Sequence, residues 1–130
     1  MSIAQLNGPQ REAIHYLDGP LLVLAGAGSG KTRVITQKIA YLIRHAAIPA
    51  RHIAAITFTN KAAREMLERI GKQMTSAELR GLTVSTFHSL GMQILRQEAH
   101  HLGYKPQFSI LDAFDAGKII ADILLTTHKD

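Results

Sequence analysis

One stretch near the amino terminus decides the fold, and it reads LLVLAGAGSGKT from Leu21 to Thr32. Its first five residues form a continuous apolar run, a pattern typical of a strand buried on both faces of a sheet. Small residues follow, and apolar side chains then recur at helical spacing. We therefore predict a strand over Leu21–Ala25, a loop over Gly26–Gly30 and a helix over Lys31–His45.

The loop matches the phosphate-binding pattern G-x-x-x-x-G-K-[ST], with Ala25 in place of the first glycine. Glycines let consecutive main-chain N–H groups point at one spot, where the positive end of the helix dipole also lies. Lys31 can then reach the β- and γ-phosphates, and the Thr32 hydroxyl can ligate Mg²⁺. The residues predicted to surround a nucleoside triphosphate are Ala25, Gly26, Ala27, Gly28, Ser29, Gly30, Lys31 and Thr32. The alternative is a glycine-rich turn whose lysine is merely exposed.

Strand and helix patterns alternate along the chain. Further strands are predicted over Ile53–Phe58 and Leu82–Thr86, and further helices over 6–17, 61–74, 87–101 and 114–126. Asn7 is the predicted N-cap of the first of these helices, Thr59 or Asn60 is that of the second, and Gly103 is predicted to end the third. The predicted inward stripe of the helix over 61–74 is Ala63, Met66, Leu67 and Ile70. This order predicts an α/β fold with a parallel sheet and right-handed crossovers. Three strands are few for such a sheet. We expect the front of a larger protein with an incomplete sheet, the alternative being a complete three-stranded domain.

Composition narrows the class of protein. The chain has 130 residues, of which 46% are hydrophobic, enough for one globular core. No apolar run approaches the roughly 18 residues of a membrane span, so no membrane association is expected. The chain has no cysteine, which excludes disulfides, thiolate catalysis and zinc fingers and points to the cytoplasm.

The charge is uneven. Residues 1–96 carry twelve Lys and Arg against five Asp and Glu, a net of +7, whereas residues 97–130 carry a net of −2. A basic front part suggests a polyanionic partner, the alternative being a solubilising surface. An incomplete sheet also exposes a strand edge, so the chain is expected to self-associate.

Four short motifs occur in order. They are Leu6-Asn7-x-x-Gln10, Ala25–Thr32, Thr57–Ala63 and Thr86–Ser89. Their order and spacing resemble those of the UvrD/Rep superfamily 1 DNA helicases, and the sequences of Ala50–Phe58 and Phe108–Asp112 are similar to those of the bacterial Rep branch. The resemblance implies part of a RecA-like, P-loop NTPase motor domain over residues 1–86 and the start of an inserted helical subdomain over 87–130.

The resemblance also implies ATP and Mg²⁺ as cofactors. Gln10 matches the glutamine that reads adenine, and a side-chain amide offers the donor and the acceptor that this base requires. Arg33 matches an arginine near the nucleotide. Without the family, Gln10 would be interpreted as an exposed helix residue and Arg33 as a surface residue.

The later two motifs match those that contact single-stranded DNA in the family. The DNA-contacting residues implied are Thr57, Phe58, Thr59, Asn60, Thr86, Phe87 and His88. Phe58 offers a flat face for a base, and hydroxyl and amide groups can bind phosphates. The alternative for Phe58 is a place in the core, as for most phenylalanines that end a buried strand.

As a member of this family, the parent protein would be an ATP-dependent helicase and translocase, moving 3′ to 5′ on single strands and unwinding forked duplexes in replication or repair. Lys31 and Thr32 would be its catalytic residues in this chain. The Asp-Glu motif of the family is absent from the sequence, as is a second motor domain. We therefore expect this chain alone to bind nucleotide weakly, if at all, and to hydrolyse essentially none. Two alternatives remain: a non-catalytic module that binds nucleotide or single-stranded DNA, and an enzyme that phosphorylates a small molecule.

Overall fold

The computed structural model describes residues 6–127, and the chain divides between Leu90 and Gly91 into two compact units. The α-helices are α1 (Gly8–His15), α2 (Lys31–Arg44), α3 (Asn60–Gly71), α4 (Phe87–Glu98) and α5 (Ala113–Thr127). The strands are β1 (Ala54–Thr57) and β2 (Thr83–Thr86), and short 3₁₀ helices cover Ala50–His52 and Ala99–Leu102. None of the helices in this described part is long and apolar enough to cross a bilayer.

The two strands form a parallel sheet and confirm the predicted α/β class. Ala54 lies opposite Thr83, and the register continues to Thr57 opposite Thr86. Because parallel strands share the same direction, the residues that follow Thr57 and Thr86 emerge side by side at one edge of the sheet. That edge carries the two predicted DNA motifs.

The core of the first unit lies between the sheet and the helices α2 and α3. Its buried residues are Ile39, Ala55, Met66, Ile70 and Met74. The predicted inward stripe of α3 is confirmed for Ala63, Met66 and Ile70, but wrong for Leu67, which is 47% exposed. Leu67 lies one residue, or about 100° of rotation, beyond Met66, and so falls outside the buried stripe.

The predicted strand over Leu21–Ala25 is wrong for this structure. No regular strand forms there, and Leu22 and Leu24 are 83% and 88% exposed. An apolar run becomes a buried strand only when neighbouring strands complete its hydrogen bonds and helices cover its faces. Within residues 6–127 the sheet has two strands, which pair only with each other.

An ion pair joins the end of α2 to the turn before β2. Arg44 Nε donates to Glu78 Oε1 at 2.7 Å, and Arg44 Nη2 donates to Glu78 Oε2 at 3.1 Å. The main-chain N–H of Thr75 also donates to Glu78 Oε2, at 2.8 Å. The bonds from Arg44 first, and those from Thr75 next, lower the pKa of Glu78 to about 2.

Gly81 lies where the chain enters β2, and a side chain there would collide with the segment before β1. Its φ is +86°, and a Cβ would lie 2.8 Å from the Cβ of Arg51. Glycine therefore permits both the left-handed turn and the close approach of these two segments.

The second unit contains the end of α4, the 3₁₀ helix Ala99–Leu102 and α5. Gly103, with φ +75°, ends the 3₁₀ helix as predicted, and Ala99 is buried. Asp112 accepts a hydrogen bond from the Asp115 N–H at 2.8 Å and so caps α5.

Candidate functional site

The Gly26–Gly30 loop is built around left-handed glycines. Gly28 has φ +73° and Gly30 has φ +82°, a region that other residues rarely adopt. Gly30 is also the N-cap residue of α2, and no side chain within residues 6–127 caps this helix. The positive end of the dipole of this 14-residue helix therefore favours an anion at its amino terminus.

Lys31 and Thr32 are exposed in the first turn of α2, and Arg33 beside them is half-buried. The Lys31 ammonium is folded over the loop. Its Nζ donates to the carbonyl oxygen of Ala25 at 3.1 Å and to that of Gly26 at 2.6 Å. An ammonium has three donors, so one remains for a ligand. A phosphate placed over the loop would meet this cation and the positive end of the α2 dipole together.

Gln10 lies against the same loop. Its Nε2 donates to the carbonyl oxygen of Ser29 at 2.9 Å, and its Oε1 accepts from the Asn7 N–H at 3.1 Å. Asn7 Oδ1 in turn accepts from the Gln10 N–H at 2.9 Å, which completes the capping box of α1. A primary amide has two donor hydrogens and two acceptor lone pairs. Gln10 therefore keeps one of each, the pair that the N7 and N6 edge of adenine requires.

A cavity of about 620 Å³ joins Gln10, Ser29 and Lys31. Its apolar lining residues include Leu21, Val23, Leu24, Val34 and Ile35. Its size falls within the range of about 300–1,000 Å³ that is usual for small-molecule sites. Apolar walls with polar groups at one side suit a flat base attached to a charged tail.

Lys38 also lines this cavity, although it was not among the predicted site residues. Its Nζ donates to the carbonyl oxygens of Ala13 and Tyr16 at the end of α1, at 2.8 Å each. Burial lowers the pKa of Lys38, because desolvation disfavours the charged form. The only local signal was its position two helical turns after Lys31, which places both side chains on one face of α2.

The DNA-motif edge is the edge of the sheet where Thr57–Asn60 and Thr86–His88 lie, and its aromatic side chains are exposed. Phe58 is 95% exposed and Phe87 is 70% exposed, so the alternative that Phe58 belongs to the core is wrong. Each phenylalanine directly follows one member of the paired residues Thr57 and Thr86. Adjacent strands lie about 4.8 Å apart, so the two rings leave neighbouring points of the same edge.

The threonines of this edge are engaged in local structure. Thr59 caps α3, its Oγ1 accepting from the Ala62 N–H at 3.1 Å, and Thr57 Oγ1 donates to the carbonyl oxygen of Thr59 at 3.0 Å. Thr86 is buried, and its Oγ1 both donates to Ser89 Oγ and accepts from the Ser89 N–H. These bonds orient the two helix starts that carry the exposed side chains of Asn60 and His88.

Two cations flank this edge that were not among the predicted site residues. Lys61 and Arg64 are exposed in the first turns of α3, and the first turn of α3 has no acidic residue. Both side chains add to the positive end of the helix dipole. The edge therefore combines aromatic faces, hydrogen-bonding groups and positive charge, the combination that single-stranded nucleic acid requires.

Comparison with known proteins gives a consistent set of relatives. The family model for the UvrD/REP helicase N-terminal domain matches residues 6–130. The ATP-dependent DNA helicase Rep of Escherichia coli is 55% identical over 119 residues, which are 92% of this chain and 18% of that protein. The ATP-dependent DNA helicase PcrA of Staphylococcus aureus is 45% identical over 125 residues, covering 96% of this chain and 17% of that protein. The PcrA of Staphylococcus epidermidis is 43% identical over 128 residues, with shares of 98% and 17%. The chain thus spans less than a fifth of the length of these relatives.

Proposed function

This chain belongs to the UvrD/REP helicase N-terminal domain family, and we propose that it carries the ATP-binding loop and the first DNA-contacting edge of an ATP-dependent DNA helicase. Residues 1–86 would then be the front of a RecA-like motor domain, and residues 87–130 the start of an inserted helical subdomain. In the whole protein, Leu21–Ala25 would pair as a strand of that motor domain. Its exposed leucines support this, because they would be covered there.

ATP and Mg²⁺ fit the residues of the loop. The uncapped first turn of α2 and Lys31 would hold the triphosphate, and the exposed Thr32 hydroxyl would ligate Mg²⁺. Gln10 would read the adenine with the donor and the acceptor that its bonds to Ser29 and Asn7 leave over. Mg²⁺ would neutralise charge on the phosphates as the terminal one is transferred to water. Arg33 would lie near the same nucleotide.

Single-stranded DNA fits the residues that follow β1 and β2, at the DNA-motif edge. Phe58 and Phe87 would stack with bases, while Thr59, Asn60 and His88 would contact the backbone. Thr57 and Thr86 would hold these groups in place. The proposal extends to translocation in the 3′ to 5′ direction and to action on forked duplexes, as the motif resemblance implies. Relatives named ATP-dependent DNA helicases, which match nearly all of this chain, support its DNA helicase part.

One observation carries the proposal: an uncapped helix start, a lysine and a glutamine meet around one loop, beside a cavity of ligand size. No such convergence is needed to stabilise a simple turn. It favours a nucleotide site over the alternative of an exposed lysine on a glycine-rich turn.

The test is Lys31→Ala in the full-length protein that carries this sequence. Removing the ammonium should abolish ATP-dependent unwinding of a forked duplex with a 3′ single-stranded tail. Lys72→Ala is the matched control, because Lys72 is an exposed lysine on the far end of α3 and should leave unwinding unchanged. Unwinding that survives Lys31→Ala would refute the role given to the loop. ATP binding without any DNA-dependent hydrolysis in the unaltered protein would favour the non-catalytic module instead.

A further inference from the structure

The helix that carries Gln10 is too short to hold its own position. Helix α1 has eight residues, and isolated helices below about 12–15 residues are marginal in water. Two of its residues, Ala13 and Ile14, are buried. Besides this packing, polar contacts at the two ends of α1 fix the placement of Gln10.

The amino-terminal tie is weak. Gln10 Nε2 donates one hydrogen bond to the carbonyl oxygen of Ser29, and this is an exposed contact between a side chain and a loop. The same amide must also meet the base. It cannot by itself orient the helix that presents it.

The carboxyl-terminal tie is made by Lys38. The last carbonyl groups of a helix lack partners within the helix and form the negative end of its dipole. Lys38 Nζ donates to two such oxygens, of Ala13 and Tyr16, at 2.8 Å each. The ammonium is half-buried there, and the lowered pKa of Lys38 records the desolvation that these two oxygens offset.

Lys38 and Lys31 belong to the same helix. Seven residues separate them, which is about 10.5 Å along the axis and nearly two full turns. Helix α2 thus holds the lysine of the phosphate loop at one point and the end of α1 at another. Through Lys38, it sets the distance between the triphosphate position and the amide of Gln10.

We propose that Lys38 is a positioning residue that sets the base specificity of the nucleotide site by holding Gln10 at the adenine position. This rests on the proposed function, in which Gln10 reads adenine. Guanine carries an acceptor, O6, where adenine carries the N6 donor, so a correctly placed Gln10 oxygen rejects it. A misplaced Gln10 loses this discrimination, whereas the grip on the phosphates at Lys31 is unaffected.

The experiment measures the Kd of Mg²⁺-ATP and of Mg²⁺-GTP for the full-length protein by calorimetry. Lys38→Met keeps the apolar stem and removes the donors. It should weaken ATP binding about tenfold, the worth of roughly 1.4 kcal/mol, and leave GTP binding unchanged, so that the preference for ATP disappears. Lys38→Arg restores the donors and should restore the preference. Lys72→Met is the control and should behave as the unaltered protein.

Hydrogen exchange provides a second measurement. In Lys38→Met the amides of residues 11–16 should exchange faster, while those of α3 keep their protection. If Lys38→Met does not fold, Lys38→Gln, whose amide can donate to one carbonyl, should show the same loss in part.

Three results would overturn the proposal. An unchanged ATP preference in Lys38→Met would show that Gln10 is placed without this tie. An equal loss of ATP and GTP affinity would show that Lys38 supports the whole site and not the base specificity. Failure of the unaltered protein to bind ATP would instead remove the proposed function, and the Lys38 role with it.

Discussion

Replacing Phe58 by alanine separates a binding role of this side chain from a structural one. The ring is 95% exposed, so its removal deletes almost no internal contact and should leave the thermal midpoint unchanged. A buried phenylalanine would behave differently, with a loss of about 3–5 kcal/mol of stability on truncation to alanine. The local backbone should also persist, since Thr59 caps α3 independently of the ring.

Phe58→Ala is expected to remove the stacking interaction of one base with the Phe58 ring. Stacking of a base on an aromatic side chain contributes about 1–3 kcal/mol, which corresponds to a Kd that is weaker by a factor of roughly 5 to 150. The assay is fluorescence anisotropy of a labelled oligothymidine with the full-length protein at fixed salt, alongside a thermal melt. Phe114→Ala is the matched control, because Phe114 is also exposed, at 69%, but belongs to α5 and to neither of the predicted DNA motifs.

Two results would contradict this reasoning. Unchanged DNA affinity in a folded Phe58→Ala protein would show that no base stacks on the ring. A thermal midpoint lowered by several degrees would show that the ring is covered in the whole protein. Phe58→Trp offers a further check, since the larger face should bind at least as tightly.

Three further predictions concern stability, the loop and assembly. The pKa of Glu78 is lowered to about 2 in the folded chain, so the stabilisation from its bonds to Arg44 and Thr75 is present above the unfolded pKa of about 4.5 and is lost as pH falls towards 2. Glu78→Gln should therefore flatten the pH dependence of the thermal midpoint between these values. An unchanged profile would exclude the Arg44–Glu78 pair as the source of that dependence. Gly30→Ala places a side chain at φ +82° with its Cβ 3.2 Å from Gln10 Nε2. Calorimetry should find weaker ATP binding, and thermal melts should show a loss of about 1–2 kcal/mol in the free energy of unfolding. Unchanged ATP affinity would mean that the loop tolerates another conformation. The exposed Leu22 and Leu24 should make the 130-residue chain self-associate as its concentration rises, and light scattering should find Leu24→Asp less associated; a monomer at every concentration would refute this.

The sequence alone determined the features that depend on neighbours along the chain. The capping role of Asn7 and the glycine that ends the segment at residue 103 were predicted and are confirmed, and of the two predicted caps of α3, Thr59 and Asn60, the structure has Thr59. The order of helices and the parallel pairing of the second and third predicted strands also followed from local pattern. Such features are legible because a cap, a turn or an amphipathic stripe is decided within a few residues.

Contacts between distant residues decided the rest. The run Leu21–Ala25 has the composition of a buried strand, but strand formation requires pairing partners that residues 6–127 do not provide. In the sequence Lys38 cannot be distinguished from other helical lysines, because its role depends on the packing of α1 against α2. Gly81 likewise cannot be distinguished from other turn glycines, because its role depends on the Cβ of Arg51, which lies 2.8 Å from where a Cβ of residue 81 would be. Phe58 could have belonged to the core or the surface, and only the position of its strand end at an open edge exposes it. Burial and partner choice are properties of the packed chain as a whole, because each depends on groups far away in the sequence.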